Sequence, residues 1–126
     1  MLANSKAYSG FAVDDIGKAE EFYGGTLGLT TSVLEEGTLL QLDLAGERPT
    51  LVYIKPDFTP ATYTILNFPV EDVEKAVDEL SAKGVSFERY EGFDQDEKGI
   101  DRSGPGGGIA WFKDPAGNIL AVHGEM

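Results

Sequence analysis

An internal repeat limits what this chain can fold into more than any other feature. The segment Phe11-Ala12-Val13-Asp14-Asp15-Ile16-Gly17-Lys18-Ala19 matches Phe68-Pro69-Val70-Glu71-Asp72-Val73-Glu74-Lys75-Ala76 at a constant offset of 57 residues. The match resumes, one residue short, as Gly28-Leu29 against Gly84-Val85. Self-similarity at such a period marks a duplicated supersecondary unit. Two copies of about 60 residues are too few for a solenoid, so they should form one pseudo-symmetric domain spanning residues 1–126. A domain of that length can bury about two thirds of its unfolded surface.

Each copy follows the same local logic. Residues 6–13 alternate, with Phe11 and Val13 on one face and Tyr8, Gly10 and Ala12 on the other. Asp14 and Asp15 then suit an N-cap and the positive end of a helix. Ile16, Ala19, Phe22 and Tyr23 recur at helical spacing and give an apolar stripe; Gly24 and Gly25 should fray the helix, and Gly28 should end it. In the second copy Glu71 and Asp72 open a cleaner helix, Val73, Ala76, Val77 and Leu80 form its stripe, and Gly84 is a left-handed stop.

Strand patterns follow each helix. In the first copy they cover 29–34, 38–44 and 50–55, broken by turns at Glu35-Glu36-Gly37 and Ala45-Gly46-Glu47-Arg48-Pro49. In the second they lie near 62–70, 85–91, 108–113 and 118–123, the last two joined by the tight reversal Asp114-Pro115-Ala116-Gly117-Asn118. Repeat one thus runs from about 6 to 55, a stiff connector occupies 56–61, and repeat two runs from about 62 to 124. The order is βαβββ twice, an α+β architecture. The stretch from Gly92 to Gly108 is rich in charge and glycine and reads as a mobile rim loop without a core.

Composition removes several classes of function. There is no cysteine, hence no disulfide, thiolate metal site or cysteine nucleophile. The opening MLANSKAYSG has no basic stretch before an apolar core, and no apolar run approaches the ~20 residues that span a membrane, so a cytoplasmic location is expected. Twenty-two acidic residues oppose ten basic ones, a net charge of −12. That field repels nucleic acid and anionic lipid and attracts cations, although solubility alone also accounts for it. With a single His, a Ser-His-Asp triad would need His123 as base, and no nucleophile elbow surrounds any Ser. The run Gly104-Pro105-Gly106-Gly107-Gly108 lacks the Gly-Lys-Ser/Thr ending and the following helix of a phosphate loop.

The paired strand–helix openings, the βαβββ-βαβββ order and the ending Phe112-Lys113-Asp114-Pro115-Ala116-Gly117-Asn118-Ile119-Leu120 resemble the vicinal oxygen chelate superfamily, over about residues 6 to 124. That group includes glyoxalase I, extradiol dioxygenases and the bleomycin-resistance proteins. The resemblance implies curved mixed sheets with helices on the convex side, and concave faces forming a small-molecule cavity, often in a homodimer. The faces carrying Phe11/Val13 and Leu66/Phe68/Val70 would take the helices, and those carrying Tyr8/Gly10/Ala12 and Tyr63/Ile65/Asn67 would look inward.

The resemblance also implies where a metal would sit. Enzymes of the superfamily hold a divalent ion with His, Gln or Glu from the first and fourth strand of each copy, leaving positions open for vicinal substrate oxygens. Counting from the Val-Asp-Asp opening, the first position is Tyr8, and its repeat mate is Ile65. Counting from the Asp-Pro-x-Gly turn, the final-strand position is Ala121; the remaining one falls near Tyr53, to within one or two residues. Ile65 and Ala121 cannot coordinate a metal through their side chains, and a neutral Tyr is a weak ligand. No metal and no cofactor are therefore expected. His123, two residues beyond Ala121, is a candidate ligand of a displaced site or a catalytic base.

The inward positions then read as an aromatic, neutral-polar pocket: Tyr8, Tyr53, Tyr63, Ile65, Asn67, Ala121, His123 and Trp111, with the parity of the Trp111 strand open between pocket and core. Such a surface binds flat apolar or cationic ligands, at roughly 0.5–2 kcal/mol per good contact. The expected function is that of a metal-independent, homodimeric binding protein that sequesters an aromatic or cationic natural product, as antibiotic-resistance members of the superfamily do. The alternatives are a glyoxalase- or dioxygenase-type metalloenzyme with a displaced site and a metal-free isomerase or lyase, so enzymatic activity stays open.

Overall fold

A computed structural model describes residues 1–46 and 48–125, which leaves Glu47 of the expected 45–49 turn outside the described residues. The chain forms two compact units, Met1–Pro60 and Ala61–Met126, and the boundary falls inside the expected connector.

The first unit contains β1 (Ser9–Val13), α1 (Ile16–Glu20), β2 (Thr30–Leu34), β3 (Leu39–Asp43) and β4 (Pro49–Ile54). Its sheet has the order β1-β4-β3-β2, with β1 parallel to β4 and the other pairs antiparallel. Phe11, Val13, Leu40, Leu42 and Val52 are buried on the face that takes the helix, where Tyr23 packs on Phe11 at a ring separation of 5.7 Å. The helix starts where expected: Asp15 accepts a hydrogen bond from the Lys18 N–H at 3.0 Å. It does not simply fray at Gly24. From Glu21 to Thr26 it widens into a π-helical turn that ends at the left-handed Gly28. Strand β1 begins at Ser9, so Tyr8 lies just outside the sheet.

The second unit contains β5 (Thr64–Val70), α2 (Val73–Ala82), β6 (Ile109–Lys113) and β7 (Ile119–Gly124), in the sheet order β5-β7-β6. Asp72 repeats the cap, accepting from the Lys75 N–H at 3.0 Å, and Gly84 takes the left-handed conformation after the helix. Val73 and Val77 of α2 are buried, as are Ala110, Phe112, Leu120 and Val122 of β6 and β7.

Two expectations need correction here. The strand expected over 85–91 shrinks to a single bridge, Phe87 to Phe112. The reason is local: the Gln95 side chain takes the ladder groups for itself, donating to the Glu88 carbonyl at 2.9 Å and accepting from the Tyr90 N–H at 2.8 Å. Nor is 92–108 a loop without a core. Ile100 is buried, Asp96 accepts from the N–H groups of Lys98 and Ile100, and Asp101 exchanges backbone hydrogen bonds with Ile109. Its glycines allow close packing: a Cβ on Gly108 would stand 2.7 Å from the Ile100 side chain. Charge and glycine content hid a segment held by hydrogen bonds rather than by apolar area.

Candidate functional site

In each unit the helix covers one face of the sheet, and the expected site residues lie on or beside the other. In the second unit β7 pairs Asn67 of β5 with Ala121, and Ala121 with Trp111 of β6, so these three side chains form one rank across the sheet. Directly paired residues share a face, which settles the parity of Trp111: it belongs to the uncovered face, opposite the buried Phe112. One rung along, Pro69, His123 and Ile109 form the next rank. The His123 Nδ1 lies 2.8 Å from the Gly124 carbonyl oxygen.

Trp111 is flanked by two aromatic residues that the sequence reading overlooked. Tyr90 meets it edge-on with ring centroids 5.6 Å apart, and Phe93 packs against it at 4.9 Å. The Tyr90 hydroxyl is buried and has no hydrogen-bond partner among the described residues. Burial, and next the Glu88 carboxylate, push its pKa above the ordinary phenol value, so it stays a neutral donor. Glu88 itself lies 3.5 Å from the Lys113 ammonium. A usable signal existed: Tyr90 and Phe93 are the only aromatic residues between Phe87 and Trp111, and rings in so polar a stretch need something to cover.

Tyr63 precedes β5 and is 70% exposed, so it does not join the rank. Ile65 sits where the β5–β7 register shifts, between Thr64 and Leu66. In the first unit Tyr53 pairs with Ala12 and Leu39 on the uncovered face, and its ring lies over Gly10, within 4.0 Å of where a Cβ would stand. Tyr8 is 60% exposed.

The sheet registers also narrow the fourth implied metal position, placed to within one or two residues of Tyr53, to Leu51. Gly10 and Asn67 are repeat mates, 57 residues apart; Gly10 pairs with Leu51 where Asn67 pairs with Ala121. Leu51 is therefore the equivalent of Ala121, and Tyr53 is the equivalent of His123. The positions that the resemblance implies are then Tyr8, Leu51, Ile65 and Ala121, of which three have no side-chain donor atom. These residues do not fit a divalent ion. Among the described residues, no three His, Asp or Glu side chains gather elsewhere into a candidate metal centre. Two shallow grooves flank α2, one lined by Glu71, Asp72, Lys75 and Glu79, the other by Asp78, Ser81, Arg89 and Lys98.

Comparison with known proteins agrees with this fold. The family model described as the Glyoxalase/Bleomycin resistance protein/Dioxygenase superfamily matches residues 7–122. The Bacillus subtilis (strain 168) protein YraH is 32% identical over 124 residues, covering 88% of this chain and 91% of its own. Among solved structures, lactoylglutathione lyase from Agrobacterium tumefaciens superposes with a TM-score of 0.68 at 20% identity, over 96% of this chain and 93% of its own. TnmS3, an antibiotic binding protein from Streptomyces sp. CB03234, gives 0.68 at 23% identity with both chains fully covered. An enzyme and a binding protein thus match this backbone equally well. The fold does not choose between them, and the side chains must.

Proposed function

The chain belongs to the Glyoxalase/Bleomycin resistance protein/Dioxygenase superfamily, and from that premise we propose that it is a metal-independent protein that binds a small aromatic or cationic molecule and holds it unchanged. One observation carries the reading. Ala121, the position where the resemblance implies a carboxylate in the superfamily's enzymes, is fully buried and flanked by Asn67 and Trp111 in a rank with no metal donor set. A methyl group there adds neither charge nor donor to this face, and Trp111 supplies a large π-face beside it. Such a surface suits stacking, and the net charge of −12 favours a cation over an anion. We place this activity in a cytoplasmic homodimer.

The displaced-metal reading has less to stand on. It needs two or three donors around His123, and that residue's rank partners are Pro69 and Ile109.

The test is a titration with proflavine, a planar cation, followed through the emission of Trp111, the sole tryptophan. Saturable quenching that persists in EDTA, with proflavine recovered intact, is the expected result. Binding that vanishes in EDTA, returns with zinc, nickel, manganese or iron, and is lost in His123→Ala would replace this reading with the metalloenzyme one. Chemical conversion of a bound small molecule without metal would replace it with the isomerase or lyase one.

A further inference from the structure

Beside Trp111 the second unit carries a feature that stacking alone does not explain. A buried hydroxyl without a partner is costly: leaving such a donor unsatisfied costs more than replacing it with an apolar group of the same shape. Phe at position 90 would keep the edge-on packing against Trp111 and Phe93 and avoid that cost. The Tyr90 hydroxyl is nevertheless there, and its surroundings fix it in place. Gln95 holds the Tyr90 N–H at 2.8 Å, donates to the Glu88 and Gly99 carbonyls, and so ties both sides of the loop to one amide. Arg89 donates to the carbonyls of Asp96 and Glu97. The backbone that carries this donor is braced from three directions.

Phe93 is different. It packs against Trp111 but is 51% exposed, and it follows Gly92, whose φ of +89° sets a left-handed turn with open space around it. Moving Phe93 aside would uncover the indole and give up only the half of its surface that is buried.

We infer that the ligand is a flat, uncharged or cationic aromatic compound bearing a hydrogen-bond acceptor such as a ring carbonyl, that its ring takes the place of Phe93 on Trp111, and that its acceptor receives the Tyr90 hydroxyl. This rests on the binding role proposed above and narrows it to a chemical class. An anionic acceptor is disfavoured by the chain's net charge of −12. Tyr90 is then the specificity-determining residue: it distinguishes an aromatic carbonyl compound from a hydrocarbon of the same shape.

The experiment uses a matched pair, 9-fluorenone and fluorene, which differ by one carbonyl oxygen. Affinities come from equilibrium dialysis and Trp111 emission on the full chain and on Tyr90→Phe and Phe93→Ala. The expected pattern is a crossover. Tyr90→Phe raises the denaturation midpoint of the free protein, because it removes an unsatisfied donor, yet weakens fluorenone about three- to tenfold and leaves fluorene unchanged. Phe93→Ala binds both probes at least as tightly as the parent chain. If Tyr90→Phe weakens both probes equally, or neither, the acceptor class is wrong although binding stands. If Phe93→Ala weakens both, the ring is a fixed wall of the site and the displacement is wrong. If neither probe binds any of the three proteins while proflavine does, this inference fails and the broader reading survives; if proflavine fails as well, both fall.

Discussion

At Gly124 the last strand meets Gly106 so closely that a Cβ there would run into the Gly106 carbonyl oxygen. No rotamer relieves that contact, since it involves the first side-chain atom and backbone. Gly124→Ala should therefore cost about 1–3 kcal/mol or more, as overpacking does, and detach the 106–108 turn from β7. Gly107→Ala is the matched control: its Cβ meets nothing within 4 Å, so only the strain of its φ of +85° remains, worth about 1–2 kcal/mol. Urea denaturation of the two variants checks the order, and equal losses would show that strain rather than close approach sets the cost. From sequence the glycine run looked like slack, because composition reports what a residue lacks and not what lies against it. Ala121 was legible because it sits a fixed count past the Asp-Pro-x-Gly turn. Tyr90 was not, because its meaning depends on Gln95 and Trp111, which the sheet and loop bring to it. The equivalent position in the first unit could be placed only to within one or two residues of Tyr53, a margin that includes Leu51, since the turn before β4 gives no ruler comparable to that motif.

At the scale of elements, the repeat predicts two helix starts built alike, and the two caps match: Asp15 accepts from the Lys18 N–H and Asp72 from the Lys75 N–H, both at 3.0 Å. Changing either Asp to Ala should cost about 1 kcal/mol. Thermal or urea unfolding measures this, and a negligible loss at Asp72 would mean that α2 is held by Val73 and Val77 alone. The segment 94–103 differs, because it is held by charge. Arg102 bridges Glu74 of α2 and Asp96 of the loop, and Lys98 reaches Asp78. Burial tends to raise the Asp96 pKa, but the Ile100 and Lys98 N–H groups and the Arg102 guanidinium outweigh it and hold the carboxyl below its ordinary value. The Ser103 hydroxyl and N–H do the same for Asp101. A depressed folded-state pKa contributes stability that is fully present above the unfolded value of about 4 and is lost as pH falls through the folded value. Acid should therefore loosen this loop and dim its contact with Trp111, and Asp96→Asn should blunt that acid transition. Emission of Trp111 between about pH 3 and about pH 6 reads both, and an unchanged acid limb in the variant would remove Asp96 from the account.

Over the whole molecule, the excess of acid over base sets two responses to salt of opposite sign. Twenty-two carboxylates facing ten cations repel one another in the folded state. The ion pairs that offset this are exposed, like Lys55 with Asp57, and pairs of that kind are each worth about 0–1 kcal/mol. Screening therefore removes more repulsion than attraction. Raising sodium chloride from about 10 mM to about 200 mM shortens the screening length from about 30 Å to below 10 Å, and the urea midpoint should rise. Proflavine binding should move the other way, because the same screening removes the attraction between a cation and a chain of net charge −12. Fluorenone, being neutral, should respond to neither. Those three slopes separate the two contributions to recognition: long-range attraction, which belongs to the chain as a whole, and stacking with a hydrogen bond, which belongs to Trp111 and Tyr90. If proflavine affinity does not depend on salt, the acidic surface serves solubility alone, and the selectivity of the site rests on its aromatic rank.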